Sequence, residues 1–195
     1  MGAETRFRSD KRLASAYALS IYPPPSIDRR LARDLTVRGL PLPHRFHLTL
    51  KYSFLPSATR PPDWEALERL IASHGTLHLR TTGLLASDAT FCHLLLVAQD
   101  QELMRLHSDV MTILEHAGQL TSPQTSEFEG AGYNPHITVG YGSSEDDFAQ
   151  QHALFQEYEP RFEFEARSVE LVRSHVGAES ENEKHEIVRS FSLAT

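Results

Sequence analysis

His47-Leu48-Thr49-Leu50 and His136-Ile137-Thr138-Val139 repeat one pattern: a histidine and a threonine two positions apart, with an aliphatic residue after each. On a strand, successive side chains point to opposite faces, so each histidine shares a face with its threonine while the aliphatic pair points the other way. The aliphatic pair anchors the strand by burial, and the imidazole and hydroxyl stand side by side on a rigid support. Lys51 continues the His47 and Thr49 face by two positions, so its ammonium is expected to reach an anion bound there. If the two strands face each other, two imidazoles and two hydroxyls surround one small volume.

Around the first copy, Phe46 to Phe54 reads as a strand closed by Pro56. Before it, the apolar Ala14 to Tyr22 is a strand ended by Pro23-Pro24-Pro25, which cannot continue a ladder. Ser26 is positioned to cap a helix carrying Ile27, Leu31 and Leu35. After the strand, Asp63 begins a second amphipathic helix with Trp64, Leu67, Leu70 and Ile71 on one face, and Gly75 marks its end. Leu77 to Leu85 and Phe91 to Val97 read as strands around a Ser87-Asp88 turn. Gln101 to Ala117 reads as a helix.

Gly118 to Gly132, rich in Gly, Ser, Thr and Gln, reads as a long loop leading into the second copy. Pro135 to Tyr141 is then a strand, Asp146 to Tyr158 a helix, and Phe162 to Val172 and Ile187 to Leu193 strands around a charged gap, Gly177 to Lys184. Short connections, hairpins and the lack of a Gly-rich phosphate loop favour an α+β fold with antiparallel sheets over a parallel one.

The 195 residues, 40% of them hydrophobic, suffice for one domain with its own core. Cys92 is the single cysteine, and the N-terminal arginines and lysine are followed by no long apolar run. The reading is a cytoplasmic chain without membrane contact, a monomer, with residues 1–13 as a tail. A net charge of −7 argues against coating nucleic acid non-specifically, which needs many Lys and Arg on phosphates, yet leaves room for a local phosphate pocket.

Two histidines suit phosphodiester cleavage. One imidazole acts as base toward the attacking water and the other as acid toward the departing ribose oxygen, each with an ordinary pKa near about 6.5. Threonine hydroxyls donate to the non-bridging oxygens where charge gathers.

These paired His-x-Thr motifs resemble those of the 2H phosphoesterases, the family of 2′-5′ RNA ligases and RNA 2′,3′-cyclic phosphodiesterases. Tyr17-Ala18-Leu19-Ser20-Ile21 before prolines and Val169-Glu170-Leu171-Val172-Arg173-Ser174 resemble the family's first and late strands, so the resemblance spans nearly the whole chain. It implies a bilobal fold of two pseudo-symmetric antiparallel sheets flanked by helices, with a central groove, no metal and no cofactor. It further implies substrates that are RNA ends or small nucleotide phosphodiesters. His47 is then the acid and His136 the base, or the reverse, with Thr49 and Thr138 on the phosphate. Where many relatives carry an arginine soon after the second motif, this chain has Gly140-Tyr141-Gly142, so Lys51 or Arg45 is the candidate cation and Tyr133 or Tyr141 the candidate base-stacking ring. The alternative is a module of the same fold that binds nucleotides or RNA without turnover.

The remaining histidines, including His44, His93, His107 and His116, show no zinc spacing and read as structural. Cys92 reads as a small apolar residue.

Overall fold

Each His-x-Thr motif lies at the start of a strand in the middle of one sheet, the second beginning its strand at His136 and the first entering its strand at Leu48. The computed structural model describes residues 15–43, 45–54, 63–116, 130–156, 158–175 and 186–195. The expected N-terminal tail, His44, most of the long loop and the charged gap between the last strands lie outside the described residues. In chain order the elements are β1 (Ser15–Ile21), α1 (Pro25–Val37), β2 (Leu48–Phe54), α2 (Trp64–Ala72), β3 (Leu77–Ser87), β4 (Cys92–Val97) and α3 (Gln101–His116). A 3-10 turn (Gly130–Gly132) then leads to β5 (His136–Tyr141), α4 (Glu145–Phe155), β6 (Glu163–Ala166), β7 (Ser168–His175) and β8 (Glu186–Ser192).

The strands run β6-β3-β4-β5-β2-β1-β7-β8, every neighbouring pair antiparallel. The fold is α+β, as expected. Two four-stranded halves, β2-β1-β7-β8 and β5-β4-β3-β6, join where Leu48 pairs with Ile137. The motif strands β2 and β5 are therefore neighbours at the seam, each flanked by the strand that precedes it by one helix, β1 and β4.

Local chemistry sets the helix boundaries. Proline fits the first helical turn, where its missing N–H has no partner to lose. Accordingly α1 starts at Pro25 with Pro24 as its N-cap, ahead of the expected Ser26 cap, and no side chain caps it. Asp63 caps α2 by accepting from the Ala66 N–H at 2.9 Å, as its place in the sequence predicts. Ser144 caps α4 in the same way through the Asp147 N–H at 3.2 Å, with Glu145, Asp146 and Asp147 in the first turn, where acidic groups suit the helix dipole. The expected strand from Phe162 to Val172 is two strands broken at Arg167, so that β6 pairs with β3 and β7 with β1.

The motif strands are anchored as the alternation requires. Leu48, Leu50, Ile137 and Val139 are all fully buried, in one cluster with Leu31 and Leu35 of α1, Leu67 and Ile71 of α2, and Leu103, Leu106 and Val110 of α3. Among the described residues no helix is long and apolar enough to cross a membrane.

Candidate active site

Both motif strands contain an extra residue at the same place, and β2 holds a second one further on, between Lys51, which faces Leu19, and Phe54, which faces Tyr17. Along β1, Leu19 faces Lys51 and Ser20 faces Thr49, which leaves Leu50 without a partner position. Along β4, His93 faces Gly140 and Leu94 faces Thr138, which leaves Val139 extra. Such a β-bulge sets two residues against one and interrupts the alternation. Leu50 and Lys51 are consequently both buried, as are Val139 and Gly140.

The alternation restarts one residue late, and Tyr52 and Tyr141, each five positions after a motif histidine, return to the histidine side. The Tyr52 hydroxyl lies 3.2 Å from His136 Nε2, and the Thr138 side chain acts on the Tyr141 hydroxyl, offsetting part of the rise in its pKa that burial causes.

The pairing of Leu48 with Ile137 fixes the register across the seam. Carried one step in either direction, that antiparallel register sets Thr49 toward His136, and His47, the residue just before β2, toward Thr138. The four motif side chains thus form a two-by-two block on one face, backed by four buried aliphatic residues.

The two histidines are held alike. His47 Nδ1 lies 3.0 Å from the Arg45 carbonyl, and His136 Nδ1 lies 2.7 Å from the Asn134 carbonyl, in each case the residue two positions earlier. A carbonyl only accepts, so both Nδ1 atoms carry the proton and each ring, when neutral, has its lone pair at Nε2. His136 is buried and His47 half-buried. Burial lowers the His136 pKa, opposed in part by the Asn134 carbonyl, so its neutral form is favoured.

A bulge breaks ladder hydrogen bonds, and here side chains supply replacements. The Tyr133 hydroxyl donates to the Thr49 carbonyl at 3.0 Å. His107 Nδ1 donates to the Leu50 carbonyl at 2.8 Å, while its Nε2 accepts from the Gly130 N–H at 3.0 Å. The two rings stack, nearly parallel, with centroids 3.7 Å apart. Tyr133 is buried, so it supports the motif strand from within, which corrects the expectation that it offers a face to a base. His107 keeps the structural role expected of it.

The bulge also corrects the expectation for Lys51. Uninterrupted alternation would carry its ammonium along the His47 and Thr49 face, whereas the extra residue turns it inward. It is 1% exposed, donates to the Tyr52 carbonyl at 3.3 Å and lies 5.9 Å from the Phe54 ring centroid. Arg45 is exposed, its guanidinium 3.7 Å above the Tyr22 ring, whose centroid is 5.9 Å from that of His47. Its charge thus lies over a ring that packs beside a motif histidine. Tyr141 keeps an exposed ring.

Sequence reading missed Tyr52, Asn134 and Tyr22. A third His-x-Thr in the chain, His74-Gly75-Thr76, is different in kind. His74 is buried against Asp109, with Nε2 3.1 Å from the carboxylate, and the Thr76 hydroxyl donates to the Ala194 carbonyl. Spacing without the aliphatic strand is not enough. Among the described residues no three His, Cys, Asp or Glu side chains are grouped as metal ligands would be.

The sequence model of the 2′-5′ RNA ligase superfamily matches residues 23–178, a span that includes both motifs. The chain belongs to this superfamily, within the 2H phosphoesterases. No curated protein matches it significantly. LigT of E. coli, solved in complex with NADP+, superposes with a TM-score of 0.66 at 14% identity, covering 93% of this chain and 99% of LigT. TT0787 of Thermus thermophilus superposes at 0.64 with 18% identity, covering 91% and 97%. A crystal structure described as a phosphoesterase gives 0.65 at 14% identity, covering 93% and 99%. These likenesses establish the 2H phosphoesterase fold over nearly the full length of each chain.

Proposed function

We propose that this 2H phosphoesterase hydrolyses RNA-type phosphodiesters without a metal, opening a 2′,3′-cyclic phosphate to a 2′-phosphate. The observation that carries the reading is the shared fixation of the two imidazoles, each with Nδ1 on a backbone carbonyl and Nε2 directed away from it. Such a pair meets the requirement for one base and one acid on either side of a phosphorus.

His136 is the base. Burial keeps it neutral, so Nε2 has a lone pair to accept a proton from water. The water oxygen forms its bond to phosphorus, the bond from phosphorus to the ribose 3′ oxygen breaks, and protonated His47 gives its Nε2 proton to that oxygen. The Thr49 and Thr138 hydroxyls donate to the non-bridging oxygens, where negative charge accumulates. Arg45 supplies the positive charge, and the exposed Tyr141 ring is available to a base. Joining of RNA ends through a 2′-5′ bond is the same chemistry run toward ester formation. E. coli LigT has been solved with 3′-AMP, and its nucleotide complex fits a nucleotide-sized substrate for the fold.

The test is turnover of nucleoside 2′,3′-cyclic phosphates and 2′-5′-linked oligoadenylate by the full chain in the presence of a chelator. Release of the 2′-phosphate is expected, with His47→Ala and His136→Ala each lowering the rate by about 10² to 10⁴. Absence of turnover, or activity abolished by the chelator, refutes the reading.

A further inference from the structure

Nε2 of His136 already has a partner from the other half of the sheet. Its Nδ1 proton is committed to the Asn134 carbonyl at 2.7 Å, so the neutral ring presents a lone pair at Nε2, and the Tyr52 hydroxyl, 3.2 Å away, is the donor to it. The ring is thus held at both nitrogens. Tyr52 belongs to β2 and His136 to β5, so this contact spans the seam that Leu48 and Ile137 close.

Tyr52 is there because of the extra residue at Leu50. Unbroken alternation would turn position 52 inward with Leu48 and Leu50. The second motif repeats the device: Val139 is extra, and Tyr141 stands five positions after His136 as Tyr52 does after His47.

We propose that Tyr52 is a positioning residue for His136, and that the functional motif in each half is six residues long, His-x-Thr-x-x-Tyr, its tyrosine delivered by a β-bulge. The proposal rests on the hydrolytic reading above. Nε2 has one lone pair, so the Tyr52 hydroxyl and the attacking water hold it in turn. In the resting site the hydroxyl keeps the imidazole aimed and its buried lone pair satisfied. When substrate and water enter, the hydroxyl yields Nε2 to the water; one hydrogen bond replaces another and no covalent bond changes.

Tyr52→Phe in the full chain keeps the ring and removes the oxygen. The first readout needs no activity: in 15N-histidine-labelled protein, at a pH where His136 is neutral, its Nε2 resonance is expected to move downfield on loss of the donor. His136→Ala identifies the resonance. The second readout is kcat/KM for adenosine 2′,3′-cyclic phosphate, expected to fall on the order of 10- to 100-fold, mainly in kcat, through misplacement of the base. The acidic limb of the pH profile should also rise, because a donor to the neutral ring favours that form. An unmoved Nε2 resonance overturns the contact, and a moved resonance with unchanged kcat/KM overturns the positioning role. If the wild type turns over no phosphodiester, the hydrolytic reading fails and the role in that reaction with it, while the resonance still decides whether Tyr52 holds the ring.

Discussion

Removing one oxygen from Tyr133 tests how the bulged strand β2 is supported. In Tyr133→Phe the ring and its stack on His107 remain, and what is lost is the 3.0 Å hydrogen bond to the Thr49 carbonyl. Tyr133 is 3% exposed, so little water can replace the hydroxyl. A buried carbonyl left without a donor costs about 1–3 kcal/mol. In a chain of this length each kcal/mol moves Tm by about 2–4 °C, which gives an expected fall of about 2 to 12 °C. Calorimetry reads the fall directly, and urea unfolding should show a lower midpoint at an unchanged slope. Because the bond fixes the backbone of a motif threonine, kcat should fall with it. A Tm within about 1 °C of the wild type would refute the argument that side chains replace the ladder bonds lost at the bulge.

Two other substitutions follow from packing and protonation. His93 is buried between Phe148 and Phe155, with ring centroids 4.6 and 4.3 Å away, and no described residue bonds either of its nitrogens. Burial, helped by the nearby His152, lowers its pKa from 6.5 to about 4. The unfolded chain therefore binds this proton more readily, so the stability contribution is complete above pH 6.5 and is lost as pH falls from there toward 4. Urea midpoints at about pH 7.5 and about pH 4.5 should differ less in His93→Phe than in the wild type; equal differences would contradict the assignment. In Gly142→Ala the added Cβ would lie 2.5 Å from the Phe148 Cβ and 2.7 Å from its Cα, so the start of α4 must shift. A loss of about 1–3 kcal/mol in chemical denaturation is expected, and a neutral result would mean that α4 moves freely.

The limits of the sequence reading have a common physical origin. His47, Thr49, His136 and Thr138 are legible because a two-residue period with buried aliphatic residues between them fixes which side chains share a face. That same period fails at the next step, since a bulge leaves no composition of its own: Leu50-Lys51 and Val139-Gly140 look like ordinary strand continuation. The period therefore puts Lys51 on the wrong face and passes over Tyr52. One signal is present, a tyrosine five positions after both histidines, at a spacing of wrong parity for one face of a regular strand. Tyr133 misleads because a tyrosine beside a polar loop looks exposed, and only the tertiary contact with Thr49 and His107 takes it inside. The break at Arg167 is hidden for a different reason: β6 and β7 have continuous strand character, and pairing with different partners separates them.

The central claim is that the two motifs act on one substrate as one acid–base pair. The most direct measurement is kcat/KM on a 2′,3′-cyclic phosphate for His47→Ala, His136→Ala and the double variant, side by side. Groups that act as a unit are strongly non-additive, so each single variant should lose about 10² to 10⁴ and the double variant little more than the worse single. Losses that multiply, or a single variant with wild-type activity, would show that the two histidines do not share one reaction.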